Sequence, residues 1–372
     1  SARGGGGIRP RVSGRAKFID SHTVAVAGQD PIAFDHCILA TGSRPIMPAN
    51  LDIDSPLVMD STAALELEEI PDRLLIVGGG YIGLEMGTVY SALGSRVHVV
   101  EMTGGLLPGV DRDLVRILQV RLRKAFEAIN LKTKLVALEK QGSRLKAVLD
   151  GEGCSGDQIY DRVLIAVGRR PNTENLGLES TQVELDDKGY IRVNAHRQTA
   201  DPSIYAIGDV VGGAMLAHKA SHEGRMAVEA MTGDSAPAGP AADFDSRVMP
   251  AVVFTDPEVA WCGLTEQEAQ GQGRKVVVAK FPWGASGRAA TVGRQDGLTK
   301  LILEPETDRI LGVGLVGAGA GELIAEGVLA VEMGAVAGDL ALTIHPHPTL
   351  SETLMEAAEV HAGHATHVFR RR

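Results

Sequence analysis

The chain has 372 residues, 44% of them hydrophobic and 23% charged, a composition that can bury a sizeable core and excludes intrinsic disorder. Its formal net charge of −10 argues against a protein that follows nucleic-acid backbones through a basic face. Cys37, Cys154 and Cys262 are too far apart for a disulfide framework, a zinc knuckle or a C-x-x-C pair, so all three read as ordinary thiols and no metal site is expected.

No apolar run reaches the roughly 18–20 residues needed to span a bilayer and no basic-then-apolar leader is seen, so neither a membrane nor a nucleic-acid partner is expected and the location reads as cytoplasmic. Residues 1–14 carry a four-glycine run and no periodicity, and read as a flexible lead-in. Arg370 to Arg372 read as a solvated tail.

From Lys17 to Leu39 the segments KFID, HTVAV and DHCILATGS alternate with turn residues, predicting a small sheet that leads into a buried strand. A new domain starts near Ile70, where DRLLIVGGGYIGLEMGTVYSALGSRVHVVE reads as strand, glycine turn, helix and strand, one βαβ unit that implies a parallel sheet. It continues through an amphipathic helix at about Leu114 to Phe126 and short strands to the buried run RVLIAVG, ending near Asn194. SIYAIGDV is a further buried strand, and Met215 to His218 open a helix. From Val248 onward VVVAKFPW, TKLILE and ILGVGLVG predict antiparallel strands, followed by a helix on which Ile324, Val328 and Val331 share one face. That apolar face serves either the domain's own core or a dimer surface.

Gly78, Gly80 and Gly83 form a G-x-G-x-x-G turn between predicted strand and helix, with Gly87 one helical turn on. Such glycines permit the tight turn and let backbone approach a pyrophosphate, which the helix N-terminus attracts with its free N–H groups. Glu101, at the end of the second strand, suits hydrogen bonds to ribose hydroxyls, and its charge, with no cation at Met102 or Thr103, favours NAD over NADP. A turn that only packs helix on strand is the weaker alternative.

Asp209, after a buried strand, either binds a polyol hydroxyl or caps the following turn. In HPHPTLSE, His347 precedes Glu352 by five residues. A carboxylate-oriented histidine makes a general acid–base, but Thr349-x-x-Glu352 is also a capping-box pattern, and spacing does not separate the two readings.

The strings ATGSRP, GGGYIGLEMG, VGRRPNT, YAIGDV, MLAHKA, FTDPEVAWCG, FPWGASGRA and HPHPTLSE, in this order from about Ala16 to Glu359, resemble dihydrolipoamide dehydrogenases of the pyridine-nucleotide disulfide oxidoreductase family. The resemblance implies an α/β fold with a Rossmann-like NAD-binding domain, a partial FAD-binding domain and a C-terminal α+β dimerisation domain. It divides the chain into a remnant of the FAD-binding domain (1–69), the NAD-binding domain (70–194), a return segment of the FAD domain (195–246) and the dimerisation domain (247–372).

By the same resemblance Gly78, Gly79, Gly80, Tyr81, Ile82, Gly83, Leu84, Glu85, Glu101, Leu135, Ala166, Val167, Gly168 and Arg169 line NAD. Ala16, Thr41, Gly42, Ser43, Asp209, Met215, Leu216, Ala217 and His218 lie along FAD. His347 is the acid–base with Glu352 as its orienting partner, and it serves the other subunit of a homodimer that works within 2-oxo acid dehydrogenase complexes. The family's opening FAD glycine turn and its C-x-x-x-x-C redox pair are not among these residues. The sequence therefore reads as N-terminally truncated, with FAD held weakly and dithiol chemistry lost from the chain by itself. The alternatives are a non-catalytic NAD-binding and dimerisation module or a residual NADH diaphorase.

Overall fold

The computed structural model describes residues 11–233 and 248–368; most of the 1–14 lead-in and the Arg370 to Arg372 tail lie outside them. The chain divides into two units, Ser1–Arg44 with Arg169–Asp245, and Pro45–Gly168 with Ser246–Arg372.

In the first unit the strands Ala16–Asp20, Thr23–Val26 and Ile32–Ala33 form an antiparallel sheet, as the alternating segments predicted. Cys37–Leu39 pairs in parallel with Ile204–Ala206. Only Leu39 of the former strand is fully buried, whereas all of the latter is. Phe18, Leu39, Leu178, Ile191, Ile204 and Val210 make the core here. The helix after Asp209 begins at Ala217, two residues later than the sequence reading, and runs to Thr232.

The second unit holds a five-stranded parallel sheet in the order Val58–Met59, Arg162–Ile165, Arg73–Val77, Arg96–Val100, Ala128–Asn130. Its central strands read as continuous apolar runs because both faces are covered. The helix Tyr81–Ala92 makes the crossover between Arg73–Val77 and Arg96–Val100. An antiparallel meander of Thr133–Gln141, Arg144–Gly151 and Gly156–Tyr160 is inserted before Arg162–Ile165.

A second five-stranded sheet, antiparallel throughout, orders Ala251–Val253, Glu258–Gly263, Ile310–Gly317, Leu298–Leu303, Val277–Pro282. Every residue of Leu298–Leu303 is buried, because the helices Ala320–Glu332 and Glu352–Ala362 pack one face and the helix Arg112–Ala125 the other. Ile324 of the Ala320–Glu332 helix is buried in this core and Val328 and Val331 pack partly against it, so the shared apolar face belongs to the domain's own core. On one side of the same strand Lys300 meets Asp111, Asp113 and Glu266 at 2.6, 2.8 and 2.9 Å. On the other, Trp283 Nε1–H donates to Thr299 (2.9 Å), which donates to Thr353 (2.7 Å) on the Glu352–Ala362 helix.

Candidate active site

The glycine turn closes as its spacing requires. Gly78 has φ +114°, and a Cβ there would lie 2.3 Å from the Ala166 carbonyl oxygen. A Cβ on Gly83 would lie 2.2 Å from the Gly78 carbonyl oxygen, so helix and turn are in backbone contact. Around Gly80 there is open space, and Gly80 caps the Tyr81–Ala92 helix with no side-chain hydrogen bond. The mouth of that helix is thus bare backbone with room before it, which fits a pyrophosphate. The same string recurs at Gly312-x-Gly314-x-x-Gly317, inside a strand, where it only admits neighbouring side chains such as Leu114 and Trp283. Context, not the string, makes the first one a candidate binding turn.

Glu101 stands at the strand end, half-buried, and its two oxygens accept the N–H groups of Gly79 and Thr103, each at 2.7 Å. The carboxylate therefore also shapes the turn, and each oxygen keeps a lone pair for a ribose hydroxyl. Leu84 and Leu135 are buried and can border a ligand only through backbone or the core beneath it, whereas Tyr81 and Val167 are exposed and Ile82 is half-buried. Glu85 accepts the N–H of Phe254 at 2.9 Å; burial pushes its carboxyl up, and that hydrogen bond only partly opposes the rise.

In the first unit, the Ser43 hydroxyl donates to Asp209 (2.5 Å) and accepts from Arg169 Nε–H (2.7 Å). Arg169, assigned to the NAD side, thus joins two residues assigned to the FAD side. Asp209 lies inside its short helix rather than at the cap, and its carboxylate accepts the Ser43 hydroxyl. Beneath that turn, Glu223 accepts Gly208 N–H (2.6 Å) and is held by Lys219 (2.8 Å) and Arg197 (3.0 Å). Thr41 and Gly42 are fixed by Asn172, whose amide donates to the Thr41 carbonyl (2.9 Å) and whose backbone N–H donates to Gly42 (2.9 Å). Asn172, Lys219 and Glu223 were missed in the sequence; the i, i+4 spacing of Lys219 and Glu223 was their one visible signal.

A cleft of about 950 Å³ in this unit is lined by Ala16, Thr41, Ile38, Leu39 and Arg44 among others. Its size and mixed lining suit a large cofactor. Met215 and Leu216 lead into the Ala217–Thr232 helix, whose first two residues, Ala217 and His218, are exposed and which lacks a side-chain cap.

His347 and Glu352 are brought together: Nδ1 lies 2.8 Å from Oε1. Glu352 Oε2 accepts Thr349 N–H (2.7 Å), and Glu352 N–H points back to Thr349 Oγ1 (3.4 Å), so the same carboxylate serves both as cap and as histidine partner. Burial alone would raise the Glu352 carboxyl, but hydrogen bonds from Thr349 and His347, with His367 nearby, hold it below the usual carboxylate range. His345 does not lie loose on the surface. It spans from the Thr343 carbonyl to Glu326, at 2.8 Å each, and pins the loop that carries His347.

Residues 10–224 match the pyridine nucleotide-disulphide oxidoreductase family and residues 249–358 its dimerisation domain. The chain is 46% identical to a dihydrolipoyl dehydrogenase of Haemophilus influenzae, covering 95% of this chain and 74% of the relative. It is 48% identical to that of Thermus scotoductus, covering 96% and 76%. Among solved structures it resembles the HOCl-induced flavoprotein disulfide reductase RclA of Escherichia coli, with a TM-score of 0.85 at 28% identity over 94% of this chain and 79% of that one. LpdA of Mycobacterium tuberculosis gives the same TM-score at 26% identity, over 94% and 76%. With its glycine turn, its His347–Glu352 pair and these relatives in agreement, the chain belongs to the pyridine nucleotide-disulphide oxidoreductase family.

Proposed function

We propose that this chain supplies the NAD-binding and acid–base halves of a dihydrolipoamide dehydrogenase, in which electrons pass from dihydrolipoamide through a disulfide and FAD to NAD. The observation that carries the reading is the bare, open helix mouth at Gly80 beside Glu101. When bound there, NAD would supply the hydride acceptor. The chain's own residues bind and orient it: backbone N–H groups at the helix start meet the pyrophosphate, and Glu101 receives ribose hydroxyls. Ser43, Asp209 and the Ala217 helix start are the groups that would hold FAD. His347, 68% exposed in its side chain, takes up or returns a proton at Nε2 while Glu352 fixes its ring through Nδ1.

The dithiol step is not served by the cysteines of this sequence. Burial raises the thiols of Cys37 and Cys154, and pushes Cys262 up to about 12, so none is a thiolate near neutrality. This favours the reading that Cys37, Cys154 and Cys262 do not supply the redox pair for dihydrolipoamide. Leu329, Met333, Leu342 and Ile344 are exposed in the region that matches the dimerisation domain, which supports a homodimer. Among the described residues no helix is long and apolar enough to cross a membrane, and we assign the protein to the cytoplasm. Calorimetric titration of NADH into the folded chain tests the reading: saturable binding supports it, and absence of heat in folded protein overturns it.

A further inference from the structure

Glu352 and Glu356 sit one turn apart on the Glu352–Ala362 helix, a spacing that puts both side chains on one face with Cβ atoms about 5–6 Å apart. Each is met by a histidine: His347 from the preceding loop, and His367 from the segment after the helix, whose Nδ1 bonds Glu356 Oε1. The second pair lay outside every sequence signal, since His367 is eleven residues from Glu356. All four side chains border one small pocket, completed by the uncharged Phe281, Ser286, Gly287 and Thr353.

Glu356 is the unusual member. Its side chain is only 6% exposed, and its second oxygen, Oε2, is buried without a hydrogen-bond partner. An unmet carboxylate oxygen costs more than most single interactions contribute, so native structures satisfy such atoms, commonly with water. The pocket, of about 10 Å³, has the room one water molecule needs, and Ser286, Thr353 and Glu352 border it with further polar groups. Two ionised carboxylates carry no hydrogen to share, and one water between them would supply it.

We propose that Glu356 and His367 extend the His347–Glu352 pair into a four-residue proton relay, closed by one bound water between the two glutamates and opening to solvent at His367. The inference rests on the acid–base reading of His347. A proton taken up at His347 Nε2 releases the Nδ1 proton to Glu352; Glu352 returns one to the water, the water passes one to Glu356, and Glu356 passes one to His367 Nδ1. His367, 47% exposed, gives a proton from Nε2 to bulk water. One proton enters and one leaves, and no heavy-atom bond changes. His367 and Glu356 are positioning and relay residues, since neither is placed to touch substrate.

The test needs no cofactor. A high-resolution crystal structure of the chain is expected to show one ordered water within hydrogen-bond reach of Glu356 Oε2, and a dry pocket overturns the proposal. Nitrogen NMR of the histidine rings gives the second arm. Glu356→Gln and His367→Asn are each expected to move the His347 ring-nitrogen resonances by more than their line width, although neither residue bonds His347. Asp308→Asn, which breaks the separate His361–Asp308 pair, is expected to leave them in place. Unmoved His347 resonances in both variants overturn the relay. If Glu356→Gln does not fold, His367→Asn, on a half-exposed side chain, decides alone. Glu352→Gln separates the two readings: if it too leaves His347 unchanged, the acid–base pair itself fails, whereas a response to Glu352→Gln alone removes only the relay.

Discussion

The hydroxyl of Ser43 donates to Oδ2 of Asp209 at 2.5 Å across 166 positions of sequence, and it receives Nε–H of Arg169 at 2.7 Å. An ordered line of arginine, serine and aspartate thus stands at the end of two paired strands, with the aspartate held as an acceptor. Asp209→Ala leaves that hydroxyl without its acceptor. It is expected to cost about 1–2 kcal/mol in denaturant unfolding and to weaken uptake of added FAD, followed by flavin fluorescence. Unchanged uptake would remove Asp209 from the flavin site.

Gly80 and Gly83 are expected to respond in opposite ways. A side chain at Gly80 enters open space, so Gly80→Val should keep the melting temperature within a few degrees while NADH affinity falls at least about tenfold. A side chain at Gly83 meets the Gly78 carbonyl at 2.2 Å, so Gly83→Val should lower the melting temperature outright. Calorimetry and thermal melts on the two variants check both halves.

Glu101→Ala removes a negative charge from the ribose end of the site and two hydrogen bonds from the turn. The preference for NADH over NADPH is expected to shrink, together with a stability loss of about 1–3 kcal/mol. Full retention of the preference would assign Glu101 to the turn alone.

Lys300 is fully buried among Asp111, Asp113 and Glu266, and Lys280 adds 2.7 and 3.2 Å contacts to the latter two. Lys300→Met is expected to destabilise the protein by about 3–5 kcal/mol, because it leaves the buried Asp111 carboxylate without its cation. Burial would raise the Asp113 carboxyl, but its hydrogen bonds and attraction to Lys280 and Lys300 outweigh this and hold it below its ordinary value. Its contribution is therefore complete above the unfolded value of about 3.9 and is lost as pH falls through the lower folded one. Unfolding midpoints measured from neutral pH down into that acid range should show this loss in the native chain and not in Asp113→Asn.

With its thiol pushed up to about 12 and its side chain in the sheet core, Cys262 should resist alkylation in the native protein. Mass spectrometry after iodoacetamide should find it unmodified until denaturant is added. Prompt native labelling would show that the core opens.

What could be read from the residues was whatever repeats at short range. The strand, turn and helix from Arg73 to Ala92 follow from glycine spacing and an apolar run, whereas the separation of five between His347 and Glu352 leaves two readings open and only the family resemblance pairs them. The partners that fix the site are long-range. Asn172 on Thr41, Arg169 on Ser43 and His367 against Glu356 depend on where distant strands and chain ends arrive, which no local period encodes. Glu352 shows why spacing alone stayed ambiguous: its two oxygens do separate work, one for the helix start and one for the imidazole.

The hydrogen-bonded line from Trp283 through Thr299 ends on Thr353, the residue next to Glu352 in its helix. Each residue turns an α-helix by about 100°, so even a one-residue slip would swing the glutamate off its histidine. A buried indole outside the acid–base pair thereby helps set the compass bearing of its glutamate, and loosening it should misaim the chemistry while every reacting group remains in place.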